Sequence, residues 1–172
     1  YGTSPDMDRV VKITREHGLT LIEDCARAHG FAWRNKRVGS IGDMGCFSFQ
    51  QGKFMTAGEG GIIITNNRAY KERCHAIKDC GRMREGDLYS SEVLNWYNYR
   101  MTQFQAAVLL VQLERLESQL RRRKANREYL DKRLEEIEGV EPVRVDDRLT
   151  EHHPWPYCFK YSSEHFRKVP LN

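Results

Sequence analysis

The run from Thr3 to Asp24 constrains the fold more than any other stretch. Thr3-Ser4-Pro5-Asp6 reads as a helix start, with a hydroxyl cap, a proline in or near the first turn and an acid favoured by the helix dipole. Met7, Val10, Val11 and Thr14 follow at helical spacing, and His17-Gly18 ends the helix. Leu19-Thr20-Leu21-Ile22 is then a short apolar run closed by Glu23-Asp24. Helix, glycine and buried strand in that order is the rhythm of an α/β domain with a parallel sheet.

The rest of the chain continues that alternation. Phe31 to Val38 predicts a small hairpin turning at residues 34–36. Residues 46–49 and 62–65 read as strands separated by the glycine-rich loop Ala57-Gly58-Glu59-Gly60-Gly61, and Asn66-Asn67 caps a helix to about Lys78. Residues 81–97, with Gly86 and Ser90-Ser91, are polar and irregular. Thr102 opens a long helical stretch whose stripe is Ala106, Leu109, Leu110, Leu113, Leu116 and Leu120. The basic run at 121–124 interrupts it, and Tyr129, Leu130, Leu134 and Ile137 resume the period before Gly139. A strand starting at Val140 and another at 157–161 complete the prediction. The expected organisation is a domain over 1–100, long linking helices over 101–139, and a further unit beginning at 140.

Composition narrows the class. The chain has 172 residues, 40% hydrophobic and 30% charged, which suits a globular core and argues against wholesale disorder. A net charge of +4 is too mild to imply nucleic acid or a membrane surface. No apolar stretch approaches the roughly 20 residues of a membrane span, and a cytoplasmic location is expected. The five cysteines show no C-x-x-C pair, so neither a zinc site nor a redox dithiol is indicated. The chain opens on Tyr1-Gly2 and closes on Leu171-Asn172, as the ends of a fragment would.

Three residues carry the chemistry. Asp24 follows an apolar strand, and ligands of parallel α/β sheets bind beyond the carboxyl ends of strands. A carboxylate partly desolvated there needs a cation, and a protonated pyridine nitrogen would serve; on position alone, a solvent-facing acid or cap is the commoner role. Lys53 becomes a nucleophile toward an aldehyde only when deprotonated, which burial or neighbouring cations can bring about. Ser48, five residues earlier, can donate to a phosphate oxygen. The loop at 57–61 suggests a close backbone approach, but neither the phosphate loop of nucleotide hydrolases nor the dinucleotide fingerprint is present.

Taken together, four co-linear segments resemble the DegT/DnrJ/StrS sugar aminotransferase family. They are Glu23-Asp24-Cys25-Ala26-Arg27-Ala28-His29-Gly30, the Val38 to Asp43 segment with its two glycines, Phe47-Ser48-Phe49 with Lys53 and the loop at 57–61, and Asn98-Tyr99-Arg100-Met101-Thr102 with Gln105-Ala106-Ala107. The resemblance spans Tyr1 to about Leu134. It implies α/β architecture: part of the large domain of the aspartate-aminotransferase fold, three-layer α/β/α with a mostly parallel sheet, leading into the start of a small α+β domain. It implies pyridoxal 5'-phosphate carried by Lys53 as a Schiff base, with Asp24 on the pyridinium nitrogen and Ser48 on the phosphate. It also implies a homodimer with a shared site, to which Asn98 contributes from the other subunit, with Arg100 in the same segment. The family usually has glutamine where this chain has Arg27, beside the cofactor's phenolic oxygen. Its chains are longer, and residues before Tyr1 normally supply the ring-stacking aromatic. The implied reaction moves an amino group from glutamate or glutamine to a keto-sugar, nucleotide-linked, or to a related cyclic ketone.

Other readings stand beside this one. The basic run at 121–124 suggests nucleic acid, but Glu114, Glu117, Glu128, Glu135 and Glu136 interleave with it as on a solvated helix face. His152-His153 suggests a metal, yet adjacent strand residues point to opposite faces. His153, which leads into Trp155, is the better candidate for substrate contact. Asp43 and Glu59 could pair as acid and base in a hydrolase, with nothing else to support it. A non-catalytic scaffold of the same fold is the remaining alternative.

Overall fold

A computed structural model of the chain describes residues 2–84, 89, 95–153 and 156–166. Gly86, Ser90-Ser91 and Trp155, named above, lie outside the described residues. The first helix, α1 (Met7–Glu16), is capped by a carboxylate: Asp6 accepts from the Arg9 amide at 3.1 Å, so the cap is not the expected hydroxyl. Gly18, at φ +61°, ends it where predicted.

Strand β1 (Ile22–Asp24) starts later than the apolar run suggested, and it is not continuously buried. Ile22 is 55% exposed and Leu19, ahead of the strand, 58%; among the described residues β1 is an edge strand of its sheet. It pairs in parallel with β4 (Met44–Ser48), which pairs antiparallel with β5 (Gly61–Ile64). The sheet is therefore mixed in this stretch rather than mostly parallel. The chain reaches β4 from β1 by a long excursion, as parallel pairing requires, but returns from β4 to β5 through one loop.

The excursion contains the predicted hairpin, β2 (Ala32–Trp33) and β3 (Lys36–Arg37). Arg34 and Asn35 both have positive φ, 47° and 64°, which is the geometry of a tight hairpin turn. A distant strand, β7 (Leu149–Glu151), adds to β2 and makes a second three-stranded sheet, β3-β2-β7. Helix α2 (Arg68–Lys78) is capped by Asn67, as expected.

Helix α3 (Gln103–Glu135) is a single element of 33 residues, not a series of helices. The basic run does not interrupt it, since arginine and lysine favour helices. Thr102 and Gln105 form a reciprocal capping box at its start. Only part of the expected stripe faces inward. Leu109, Leu116 and Leu120 pack on Phe49 and Met55, whereas Leu110 and Leu113, a fraction of a turn round, are exposed. Beyond α3, β6 (Val140–Pro142) pairs antiparallel with β8 (Phe159–Tyr161).

The core has two parts. Met7, Cys25, Phe31, Trp33, Val38 and Leu149 form one, and the α3 leucines with Phe49 and Met55 form the other. Two buried histidines lie between them. His29 is in ring contact with Phe47 and Phe49, and His153 meets Phe31 and Phe54 edge-on, each at 4.7 Å.

Candidate active site

Register places the first two site residues. Asp24 is opposite Cys46 across the parallel pair, and Ser48 is two residues further along β4. Residues in register share a face, and so do residues two apart on a strand. Asp24 and Ser48 therefore occupy one face at the carboxyl edge of β1 and β4. Glu23, by the same alternation, faces the other way.

That alternation separates two adjacent acids by function. Glu23 is 7% exposed and accepts three backbone N–H groups at 2.7 Å, from Gly39, Ile41 and Gly42. It is a buried clamp that ties the 39–42 loop to the end of β1. Gly39 is needed there at φ +86°, and a side chain at Gly45 would strike the Gly39 backbone. Asp24 is exposed, not partly desolvated as expected, and one of its oxygens accepts from the Ala26 amide at 3.0 Å. Arg27 is exposed in the same turn.

Lys53 is carried on a loop off β4 that backbone hydrogen bonds close. Its amide donates to the Gln50 carbonyl, and Thr56 Oγ1 and the Ala57 amide both donate to the Phe49 carbonyl at 3.0 Å. The Phe49 amide donates to Gly60. Lys53 is half-buried on this loop, followed by buried Phe54 and Met55, and Ser48 Oγ accepts from the Gln50 amide at its start. Arg123 of the basic run lies over the Phe54 ring at 4.6 Å, while Lys124 pairs with Glu151 and Arg127 with Asp131. Two of the run's four cations, Arg123 and Lys124, are thus engaged within the chain.

The remaining predicted residues lie elsewhere. Asn98 is exposed on a segment that pairs with the end of α2, bridging Asp79. Arg100 is held within its own chain, donating to Asp79 Oδ1 at 2.7 Å and to Cys80 Sγ. That pairing keeps the Asp79 carboxyl below its ordinary range. The segment reaches the glycine loop: Met101 lies beside Gly60, and Gln105 Nε2 donates to the Glu59 carbonyl.

His153 corrects an expectation. It is 3% exposed, and its Nε2 is 2.7 Å from the His29 carbonyl, which leaves it no surface for a substrate. Burial pushes its imidazole down to about 4. His152 turns toward Arg127. Among the described residues, no three His, Cys, Asp or Glu side chains gather as metal ligands. One hollow is lined by Arg127, Asp131, His152 and Tyr157 and another by Gly39, Asp43, Thr65 and Asn67; neither of these two includes Asp24, Ser48 or Lys53.

Sequence reasoning missed Glu23 and His29. The only signal for Glu23 was its place beside Asp24 on a strand, where alternation sends one acid inward; nothing local marked His29.

The comparison that decides the lineage is a match over residues 1–169 to the DegT/DnrJ/EryC1/StrS aminotransferase family. The chain belongs to this family. It is 39% identical over 159 residues to the L-glutamine:2-deoxy-scyllo-inosose aminotransferase of Micromonospora echinospora, covering 88% of this chain and 38% of that protein. It is 36% identical over 155 residues to the GDP-perosamine synthase of Escherichia coli O157:H7, covering 90% of this chain and 41% of that protein. The crystal structure of 3-amino-5-hydroxybenzoic acid synthase superposes with a TM-score of 0.77 at 38% identity, covering 88% of this chain and 40% of that one. The chain thus has the fold of these aminotransferases, as part of their large domain, and spans about two-fifths of their length. No described helix is long and apolar enough to cross a membrane.

Proposed function

We propose that this chain provides the cofactor wall of a pyridoxal-phosphate-dependent aminotransferase, with glutamine or glutamate as donor and a ketone on a sugar or cyclitol ring as acceptor. The observation that carries the reading is the shared face of Asp24 and Ser48 at the carboxyl edge of β1 and β4, with Lys53 on the loop that leaves β4. These residues fit the group: a carboxylate for a pyridinium nitrogen, a hydroxyl for a phosphate, and a half-buried amine for an aldehyde. When bound, the cofactor would supply an electron sink for the donor carbon and a carrier for its amino group.

The chain's own residues do the rest. Asp24 holds a proton on the ring nitrogen through its free carboxylate oxygen. Ser48 Oγ donates to the phosphate. Lys53 carries the cofactor and, when released, moves a proton at its Nζ. Arg27 would meet the phenolic oxygen as a cation where glutamine is usual.

Glutamine is favoured as donor by the Micromonospora relative's name, and a cyclic acceptor by that relative and the synthase structure. A nucleotide-linked sugar is the finer alternative, supported by the GDP-perosamine synthase. Exposed Asn98 supports a second copy completing the site through that segment, in a cytoplasmic homodimer. The test is the visible absorbance of the full-length protein with added pyridoxal phosphate: the lysine-bound band is expected in the wild type and lost in Lys53→Ala. Its persistence in that variant removes Lys53 from the role.

A further inference from the structure

The stripe of α3 that packs against the Lys53 loop does not stop at its last leucine. Leu109, Leu116 and Leu120 recur at steps of seven and four residues, and one further step of three reaches Arg123. An arginine thus stands on the inward face, where the pattern calls for an apolar residue. Its guanidinium lies over the ring of Phe54, 4.6 Å from the centroid.

Phe54 directly follows Lys53 and is 8% exposed. Among the described residues it joins neither apolar cluster, unlike Met55 beside it. Two planar polar groups meet its ring: Arg123 over it, and the His153 ring at 4.7 Å and 78°. His153 is itself fixed, its Nε2 lying 2.7 Å from the His29 carbonyl. On the other side, the Lys53 amide donates to the Gln50 carbonyl at 3.0 Å. The lysine therefore sits between a closed turn and a clamped ring. A nucleophile whose backbone is fixed searches with its side chain alone, and attack gains from that restriction.

We propose that Arg123 is a positioning residue for Lys53: from α3 it clamps the Phe54 ring and holds the loop in the shape from which the amine meets the cofactor aldehyde. This rests on the reading of Lys53 as the cofactor-bearing lysine. It also explains why a cation takes over the apolar period of α3 at this point.

The experiment separates clamping from a general effect on the fold. The full-length protein, stripped of cofactor, is mixed with pyridoxal phosphate and quenched with borohydride at intervals. The amine condenses with the aldehyde, losing water, and borohydride reduces the C=N bond to a stable secondary amine that mass spectrometry locates. Arg123→Met should melt close to the wild type, because both residues favour helices and the side chain is exposed. Its capture rate at Lys53 should fall about threefold, the contribution of a cation–π contact at an exposed site. Arg123→Lys keeps a cation over the ring and should stay within about 1.5-fold of the wild type. Phe54→Leu should itself slow capture, and adding Arg123→Met to it should slow capture no further, which separates this pair from the other contacts of Arg123. Without cofactor, the amides of residues 50–57 should exchange hydrogen faster in Arg123→Met than in the wild type.

Capture by the Met variant at the wild-type rate overturns the proposal. So does a loss of the same size in the Phe54→Leu background, a Lys variant as slow as Met, or slow capture with unchanged exchange at 50–57. If Phe54→Leu does not fold, the contrast of Lys with Met decides. If the wild type is not labelled at Lys53, the function proposed above fails, while the exchange measurement still reports whether Arg123 holds the loop.

Discussion

Glu23 and Asp24 are the same chemistry one residue apart, and the strand gives them opposite fates. Removing the Glu23 carboxylate strands one buried and two part-buried amides, so Glu23→Ala should cost about 3 kcal/mol in urea unfolding. Asp24→Asn should leave stability nearly unchanged, since that side chain is exposed. Equal losses in the two variants would contradict the assignment of faces. Gly30 is a third single-residue constraint. Its φ is +80°, and a Cβ there would strike Leu120 Cδ1, so Gly30→Ala should destabilise by about 2 kcal/mol. None of these directions was readable from composition. The close approach was expected in the loop at 57–61, whereas it is Gly30 that packing sets against Leu120 of α3.

At the scale of elements, the local signals were legible and the distant ones were not. Gly18, the turn at Arg34-Asn35, Asn67 and Thr102 act on their own neighbours, and all four appear where the sequence put them. The antiparallel sense of β5, and the addition of β7 to a hairpin more than a hundred residues earlier, depend on contacts that no window of sequence contains. The hydroxyl cap of α1 failed for a related reason. Asp6 is both cap and partner of Arg148, which also bridges Asp8 and Asp146 and lies over Trp33 at 4.7 Å. That cation fastens α1 to the approach to β7. Arg148→Gln should lower the melting temperature, and more at low salt than in molar salt, because its partners are partly exposed. An effect independent of salt would point to packing on Trp33 instead.

For the molecule as a whole, His152 and His153 set the acid limit. Burial pushes His152 and His153 down to about 4, from the ordinary 6.5 of an unfolded chain. As pH falls, the unfolded chain takes up these protons first, so the associated stability is complete above pH 6.5 and is lost progressively toward pH 4. Below that, Asp146, held at about 2 by Arg148, continues the decline from its unfolded value of 3.8. Melting temperature should therefore fall from pH 7 to pH 4, and His153→Gln should flatten that fall; an unchanged slope would mean that His153 is not neutral in the fold.

Helix α3 also limits how this chain can change. About 50 Å long at 1.5 Å per residue, it supports the Lys53 loop through Leu109, Leu116 and Leu120 and the strand at 149–151 through Lys124. Each residue inserted or deleted between those supports turns the far end by about 100° relative to the near one. A loop can absorb such an event, but a shaft with fittings at both ends cannot. Length variation among descendants of this sequence should therefore collect in the connections on either side of α3, while its own residue count stays constant.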